Sequence, residues 1–348
     1  MQDIEHSLSK FLVKNGFIFG ELMNRIGDPF QWVDGNKISH LKTVSGVLAV
    51  LQYLAMSGEI YKTPFSIKTE NHDHLLTLIE KQLTRIYDSL VPFTSSKDYQ
   101  FNQYIQSTAS VKVQDYCSIR HFCNDLPSNP KQLDIGPGLG ANAIYSLFGL
   151  NAVYYSLEAF PHSYEVQRMF FRSLLGENGS YLDLIECENF NLEECEIRKQ
   201  LNDTEKYRIK HVPSWHFGLV GNESIDLVTA TWVLNEVTPA GIAWLLSHVN
   251  RVLCKGGYVY IRDSGKRKPL RHDLNYDHVL LDLGFTHVGT LDVQNRIDMH
   301  GIPRVYRKVK NINMEYKEFF DWAFGRFVVT AHGGNYMQTG EPIRMNTL

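Results

Sequence analysis

The chain has 348 residues, 43% hydrophobic and 12% aromatic, enough for one large domain or two ordinary ones with a normal buried core. Charged residues at 21% exclude wholesale disorder, and a net charge of −3 excludes a generally basic, nucleic-acid-gripping surface. Five scattered cysteines without a Cys-x-x-Cys pair fit reduced thiols. The charged N-terminus does not read as a signal peptide, and no run reaches the ~20 apolar residues needed to span a bilayer. A soluble cytoplasmic protein is expected, with no nucleic-acid and no membrane partner.

Residues 1–125 read as a helical domain. IEHSLSKFLVKNGFIFGELMNRI places Ile4, Leu8, Phe11 and Leu12 at helical spacing. VSGVLAVLQYLAMSGEIY is apolar nearly all round and reads as a buried helix. HLLTLIEKQLTRIYDSL carries Leu75, Leu78, Ile79, Leu83 and Ile86 on one face, and Pro92 closes it. A softer stretch then leads to a short helix at YCSIRHFCNDL. LPSNPKQ breaks the pattern and marks a domain boundary.

Beyond it, strands alternate with helices. Strands are expected at KQLDIG, AVYYSLE, LDLIECE, RIKHVP, SIDLVTAT, GYVYIRDS, FTHVGTLDV and RVYRKVK, with helices ANAIYSLFGL, HSYEVQRMFFRSLLG, GIAWLLSHVNRVL and LNYDHVLLDLG between some of them. Such alternation predicts an α/β fold with a parallel sheet covered on both faces. The last two strands follow one another without a helix and should form an antiparallel edge. Residues 310–348 carry Tyr316, Phe319, Phe320, Trp322, Phe324 and Phe327, and read as an extension packed on the body.

The sharpest motif is LDIGPGLGANA. A strand delivers Asp134, and Gly136, Pro137, Gly138, Leu139 and Gly140 then turn the chain into a helix. Glycines there let the backbone approach a ligand at the carboxyl end of the first strand. Gly136-x-Gly138-x-x-Ala141 also satisfies the dinucleotide fingerprint, so the loop alone leaves two cofactors open. Glu158 ends the second strand, where a carboxylate can accept ribose hydroxyls of either cofactor. SIDLVTATWVLNEV exposes Thr231, Trp232, Asn235 and Glu236 at the end of another strand. HVNRVLCKGGYVYIRDS then gives a helix, a Lys-Gly-Gly turn and a strand, a unit that dinucleotide domains do not usually carry.

Over residues 126–309 these features resemble class I S-adenosylmethionine-dependent methyltransferases. More narrowly, LEAFPHSYEVQRMFF, IKHVPSW, the partial match NEV and RIGDPFQWVDGNKIS resemble segments of the sugar O-methyltransferase family. The sequence departs from that family at Ala159 and Phe160, at Asn235, and where Thr-Ala-Thr-Trp replaces its Asn-x-x-Ser. The resemblance implies a Rossmann-like catalytic domain with a seven-stranded sheet, behind an N-terminal helical domain (1–125) that serves as a lid, an acceptor selector or a dimer interface. It implies S-adenosyl-L-methionine as cofactor and a small polar acceptor, a sugar hydroxyl or a nucleotide-sugar, as partner. The alternatives are another natural-product oxygen or nitrogen, and a cofactor-binding pseudo-enzyme.

On this reading Asp134 neutralises the cofactor's ammonium, directly or through water. Gly136, Pro137 and Gly138 pass beside it, and Glu158 and Ala159 meet the ribose. Val212 and Pro213 flank the adenine, and Thr231 and Trp232 lie near the sulfonium. Arg120, with Tyr116, closes over the methionine carboxylate. The base that deprotonates an acceptor hydroxyl is Glu236 on the switch loop or His272 after the fifth strand, with Asp263 a third candidate. The run Lys266, Arg267, Lys268, Arg271 suits a phosphate or an acidic sugar, or a solvated loop. The 14 histidines show no H-x-x-x-H spacing, and no metal is assigned.

Overall fold

The computed structural model describes residues 67, 69–90, 101–159, 161–176, 180–186, 192–234, 239–263, 272–273, 280–290, 302–312 and 328–329. The first two expected helices and nearly all of the aromatic extension lie outside the described residues.

Helix α1 (His72–Leu90) buries Leu75, Ile79, Leu83 and Ile86, the stripe legible in its sequence. Helix α2 spans Phe101–Phe122, so the softer stretch from Phe101 onward and most of the expected short helix are one element. No glycine or proline interrupts it, and its four-residue stripe of Ile105, Ala109, Val113 and Cys117 is buried. Packing therefore holds a helix whose polar residues (Gln106, Ser107, Ser110) obscure its amphipathic pattern.

Strands β1 (Lys131–Ile135), β2 (Val153–Glu158), β3 (Tyr181–Asp183), β4 (Ile209–Pro213), β5 (Ile225–Thr231), β6 (Leu253–Asp263), β8 (Phe285–Thr290) and β9 (Ile302–Lys308) form one sheet in the order β3-β4-β2-β1-β5-β6-β9-β8. A separate two-residue pair joins β7 (His272–Asp273) to β10 (Val328–Val329). Strands β3 to β6 run parallel, whereas β9 runs antiparallel to both β6 and β8. The sheet has eight strands where the resemblance implied seven, because the short β3 adds an outer edge beside β4. The Lys-Gly-Gly segment is a correction of another kind. It is not a turn ahead of the strand but a bulge within β6: Leu253 pairs with Ile225, and the ladder resumes at Leu227 and Tyr258.

The connecting helices are α3 (Asn142–Phe148), α4 (Pro161–Leu175), α5 (Glu194–Asn202) and α6 (Pro239–Val252). Helix α5 was not legible beforehand; its charged surface hides only Ile197 and Leu201 in the core, and a capping box of Glu193 and Glu196 starts it. One face of the sheet packs Leu133, Tyr155, Val228, Val259 and Ile261 against α5 and α6. The other face packs Tyr154, Leu227, Tyr258, Tyr260 and Val305 against α1, α2, α3 and α4. The described helices of the N-terminal region thus share a core with the sheet. None of the described helices is long and apolar enough to cross a membrane.

Candidate active site

The carboxyl ends of β1, β2, β4, β5 and β6 lie side by side, and the parallel register aligns the expected residues. Glu158 pairs with Pro213 and Leu157 with Val212; Asp134 sits between Ser156 and Thr229; Thr231 faces Arg262. A crevice at this edge is where open α/β sheets bind ligands.

The glycine loop takes the conformation its composition requires. Gly136 and Gly138 have φ of +58° and +63°. A Cβ on Gly136 would lie 2.6 Å from Val233 Cγ2, whereas one on exposed Gly138 would meet nothing within 4 Å. The first glycine is thus fixed by packing, and the second by its left-handed backbone beside open space. Gly136→Ala is expected to cost more than the roughly 1–2 kcal/mol of the left-handed penalty alone, because the Val233 contact adds to it. Urea denaturation measures this, and an unchanged midpoint would mean that the loop is not held this way.

Trp232 is half-buried with φ +64°, unusual for a bulky residue, and its N–H donates to Arg262 O at 2.9 Å. The strain falls where β5 ends, next to Val233 and the glycine loop. Backbone strain of this kind tends to gather at functional sites.

Asp134 is fully buried. Tyr154 Oη and Asn142 Nδ2 donate to its Oδ2 at 2.7 and 2.8 Å, and Thr229 Oγ1 donates to its Oδ1 at 2.8 Å. Burial raises its pKa, opposed by those three hydrogen bonds and by Lys112. Its donors tie it into the interior. Asn142 Nδ2 also donates to Thr231 Oγ1 at 3.3 Å, while its buried Oδ1 has no hydrogen-bond partner among the described residues. That oxygen is an acceptor beside the loop.

The polar layer continues into residues that sequence reasoning missed. Arg262 Nε and Nη2 donate to Asp115 Oδ1 and Oδ2 at 2.6 and 3.0 Å, and Tyr260 Oη donates to Asp115 Oδ1 at 2.6 Å. Lys112 stands one turn before Asp115 on α2. Burial lowers its pKa, Arg262 adds to that, and Asp115 and Asp134 oppose it. The i, i+3 spacing of Lys112 and Asp115 was visible in the sequence, but α2 was not placed against β6. Arg120, expected to reach the cofactor, is instead exposed on the last turn of α2. The turn before it packs Tyr116 against Gly149, at the far end of α3 from the glycine loop. What this helix brings to the end of β6 is the carboxylate of Asp115, which holds the Arg262 guanidinium.

Glu158 is almost fully buried; its Oε1 accepts the Ala159 N–H at 2.8 Å and its Oε2 accepts Gln167 Nε2 at 2.6 Å. Ala159 is half-buried, and Val212, Pro213 and Pro137 are buried. His272 pairs through its backbone with Val329. Glu236, Asn235 and the basic run 266–271 lie outside the described residues, as do the side chains of Asp263 and His272. No group of histidine, cysteine and carboxylate side chains able to hold a metal occurs among the described residues.

The sequence matches no family model and no curated protein. Solved structures show a partial likeness. The 1,6-didemethyltoxoflavin-N1-methyltransferase of Burkholderia thailandensis, with bound 1,6-didemethyltoxoflavin and S-adenosylhomocysteine, is 13% identical over 71% of this chain and 94% of that one, with a TM-score of 0.38. The magnesium protoporphyrin IX methyltransferase of Synechocystis PCC 6803, with bound SAM, is 14% identical over 69% and 98%, with a TM-score of 0.41. The phosphoethanolamine N-methyltransferase 1 of Haemonchus contortus, in complex with phosphoethanolamine and S-adenosylhomocysteine, is 13% identical over 71% and 53%, with a TM-score of 0.37. At such low identity and similarity, these likenesses carry no chemistry over to this chain.

Proposed function

We propose that the chain transfers a methyl group from S-adenosyl-L-methionine to a small polar acceptor, and that the acceptor is a sugar hydroxyl. The observation that carries the cofactor reading is the left-handed Gly136–Gly138 turn at the end of the central strand, flanked by Glu158 on β2 and strained Trp232 after β5. The antiparallel β9 between β6 and β8 supports it against a nicotinamide cofactor, since the usual dinucleotide sheet is an open, mostly parallel 3-2-1-4-5-6 array. The sugar acceptor rests on the sequence resemblance alone.

The residues fit the group. Gly138 offers a close backbone approach with space beside it, Glu158 and Ala159 meet the ribose, and Val212 and Pro213 flank the adenine. Asp134 and the spare Asn142 oxygen face the ammonium, and Thr231 and Trp232 line the sulfonium side. Bound S-adenosylmethionine supplies an electrophilic methyl on a sulfonium, which leaves as a neutral thioether. The chain aligns the acceptor oxygen, excludes water and takes the hydroxyl proton onto Glu236, with His272 the alternative base. The N-terminal region, residues 1–125, serves as a lid that selects the acceptor or as a dimer interface.

Isothermal titration calorimetry tests the reading. S-adenosylhomocysteine should bind in the micromolar range, about −8 kcal/mol, and NADPH should give no heat. Glu158→Ala should weaken binding by roughly 1.5–3 kcal/mol, the worth of a charged hydrogen-bonding group. Heat from NADPH alone would overturn the proposal, and unchanged affinity in the variant would remove Glu158 from the site.

A further inference from the structure

Gln167, on the inner face of α4, is fully buried between three strand ends and uses every hydrogen-bonding position of its amide. Its Nε2 donates to Glu158 Oε2 at 2.6 Å and to the Gly138 carbonyl at 2.6 Å. Its Oε1 accepts Ser156 Oγ at 2.9 Å and His211 Nε2 at 2.9 Å. These partners fix which end of the amide is which, because neither the Gly138 carbonyl nor an ionised Glu158 can donate. They also fix the tautomer of His211: Nε2 carries the proton, and Nδ1 accepts from Tyr181 Oη at 3.0 Å. Burial, aided by nearby Arg168, pushes the His211 pKa well down, so the ring stays neutral. Tyr164 stacks on that ring at 3.4 Å and donates to Asp183 Oδ1 at 2.8 Å. A chain of bonds therefore runs from β3 through β4 and α4 to the glycine loop and the end of β2.

Resting on the S-adenosylmethionine reading, we propose that Gln167 is the positioning residue that locks Glu158 and the Gly138 backbone into one unit and so sets the fit for the ribose diol. Glu158 and Gly138 come from different strand ends, 20 residues apart, and Gln167 alone among the described residues bonds to both. A polar network this completely satisfied is stiff, and a site held by it loses little by ordering when ligand arrives.

Gln167→Glu separates positioning from general packing. It keeps the size and the acceptor for Ser156 and His211, but it replaces both donated bonds by a carboxylate set against Glu158. At about pH 8 its affinity for S-adenosylhomocysteine should fall roughly tenfold or more below wild type. Like charges this close raise a carboxyl pKa, so lowering the pH to about 5.5 should protonate the pair, restore a donor and recover much of the affinity. Wild type should show no such recovery. Affinity within about twofold of wild type at pH 8, or an equal loss at both pH values, would overturn the proposal.

Gln167→Asn, one methylene shorter, provides an independent arm if the first variant does not fold. Removing the ligand's 2′-hydroxyl should weaken wild type by roughly tenfold and the variant by less than about twofold, because Glu158 is no longer held in place. The same penalty in both proteins would overturn the assignment. A wild-type chain that does not bind S-adenosylhomocysteine would overturn the cofactor reading and this inference with it, and it would do so before any variant is made.

Discussion

Arg262→Met should cost about 3–5 kcal/mol of folding stability, the usual penalty for removing one partner of a buried ion pair. Asp115 is fully buried and Arg262 almost so, and the guanidinium grips both carboxylate oxygens. Burial opposes the charge on Arg262, but the Asp115 carboxylate, its hydrogen bond and the nearby Tyr260 and Tyr145 outweigh it and raise the pKa. After the substitution Asp115 would keep Tyr260 Oη and the neighbouring Lys112 yet lose its bidentate guanidinium in a dry site. The double variant Asp115→Leu/Arg262→Met removes both charges and should recover much of the loss, since a buried pair is often replaceable by apolar groups of similar size. Denaturant titration of the two single variants and the double variant reads the coupling. A single-variant loss below about 1 kcal/mol would mean that solvent reaches the pair as it does a surface salt bridge. The functional consequence is separate: Arg262 also accepts the Trp232 N–H on its backbone carbonyl, so a softened β6 end should loosen the strained turn after β5.

That pair illustrates what was hidden in the sequence. Asp115 and Arg262 are 147 residues apart, and each reads locally as a charged residue on an element's outer side. Only the placement of α2 across β6 brings them together, and α2 itself was half concealed by its polar residues. The glycine loop was legible because left-handed backbone has few residues that accept it, so GPGLG between a strand and a helix has one plain meaning. Glu158 was legible because strand ends can be counted. Gln167 was not, because a glutamine within HSYEVQRMFF looks like any solvent-facing helix residue until the helix is docked. Arg120 misled for the converse reason. It lies close to the sheet in sequence, but the helix turns it to solvent between the buried Ile119 and Cys123. The inserted strand order follows the same logic: two consecutive strands without a helix predict an antiparallel pair, but not that β9 sits inside β8.

Glu236→Gln should lower turnover by roughly 10²–10⁴-fold, the range for losing a general base. The residue lies in sequence between the end of β5 at Thr231 and the start of α6 at Pro239. A carboxylate there can take a proton from an acceptor hydroxyl, and glutamine keeps its size and hydrogen bonding but not its basicity. The lost interaction belongs to the transition state, so affinity for S-adenosylhomocysteine should barely change. The assay is release of S-adenosylhomocysteine with a panel of monosaccharides and nucleotide-sugars, read beside calorimetric affinity for the same variant. His272→Ala is the paired variant, since β7 pairs His272 with the aromatic extension's Val329 at its own small sheet. A large loss in His272→Ala with Glu236→Gln near normal would move the proton to the imidazole. Weakened cofactor binding in Glu236→Gln would instead make Glu236 a ligand of the methyl donor, and the base would then be sought at His272 or Asp263.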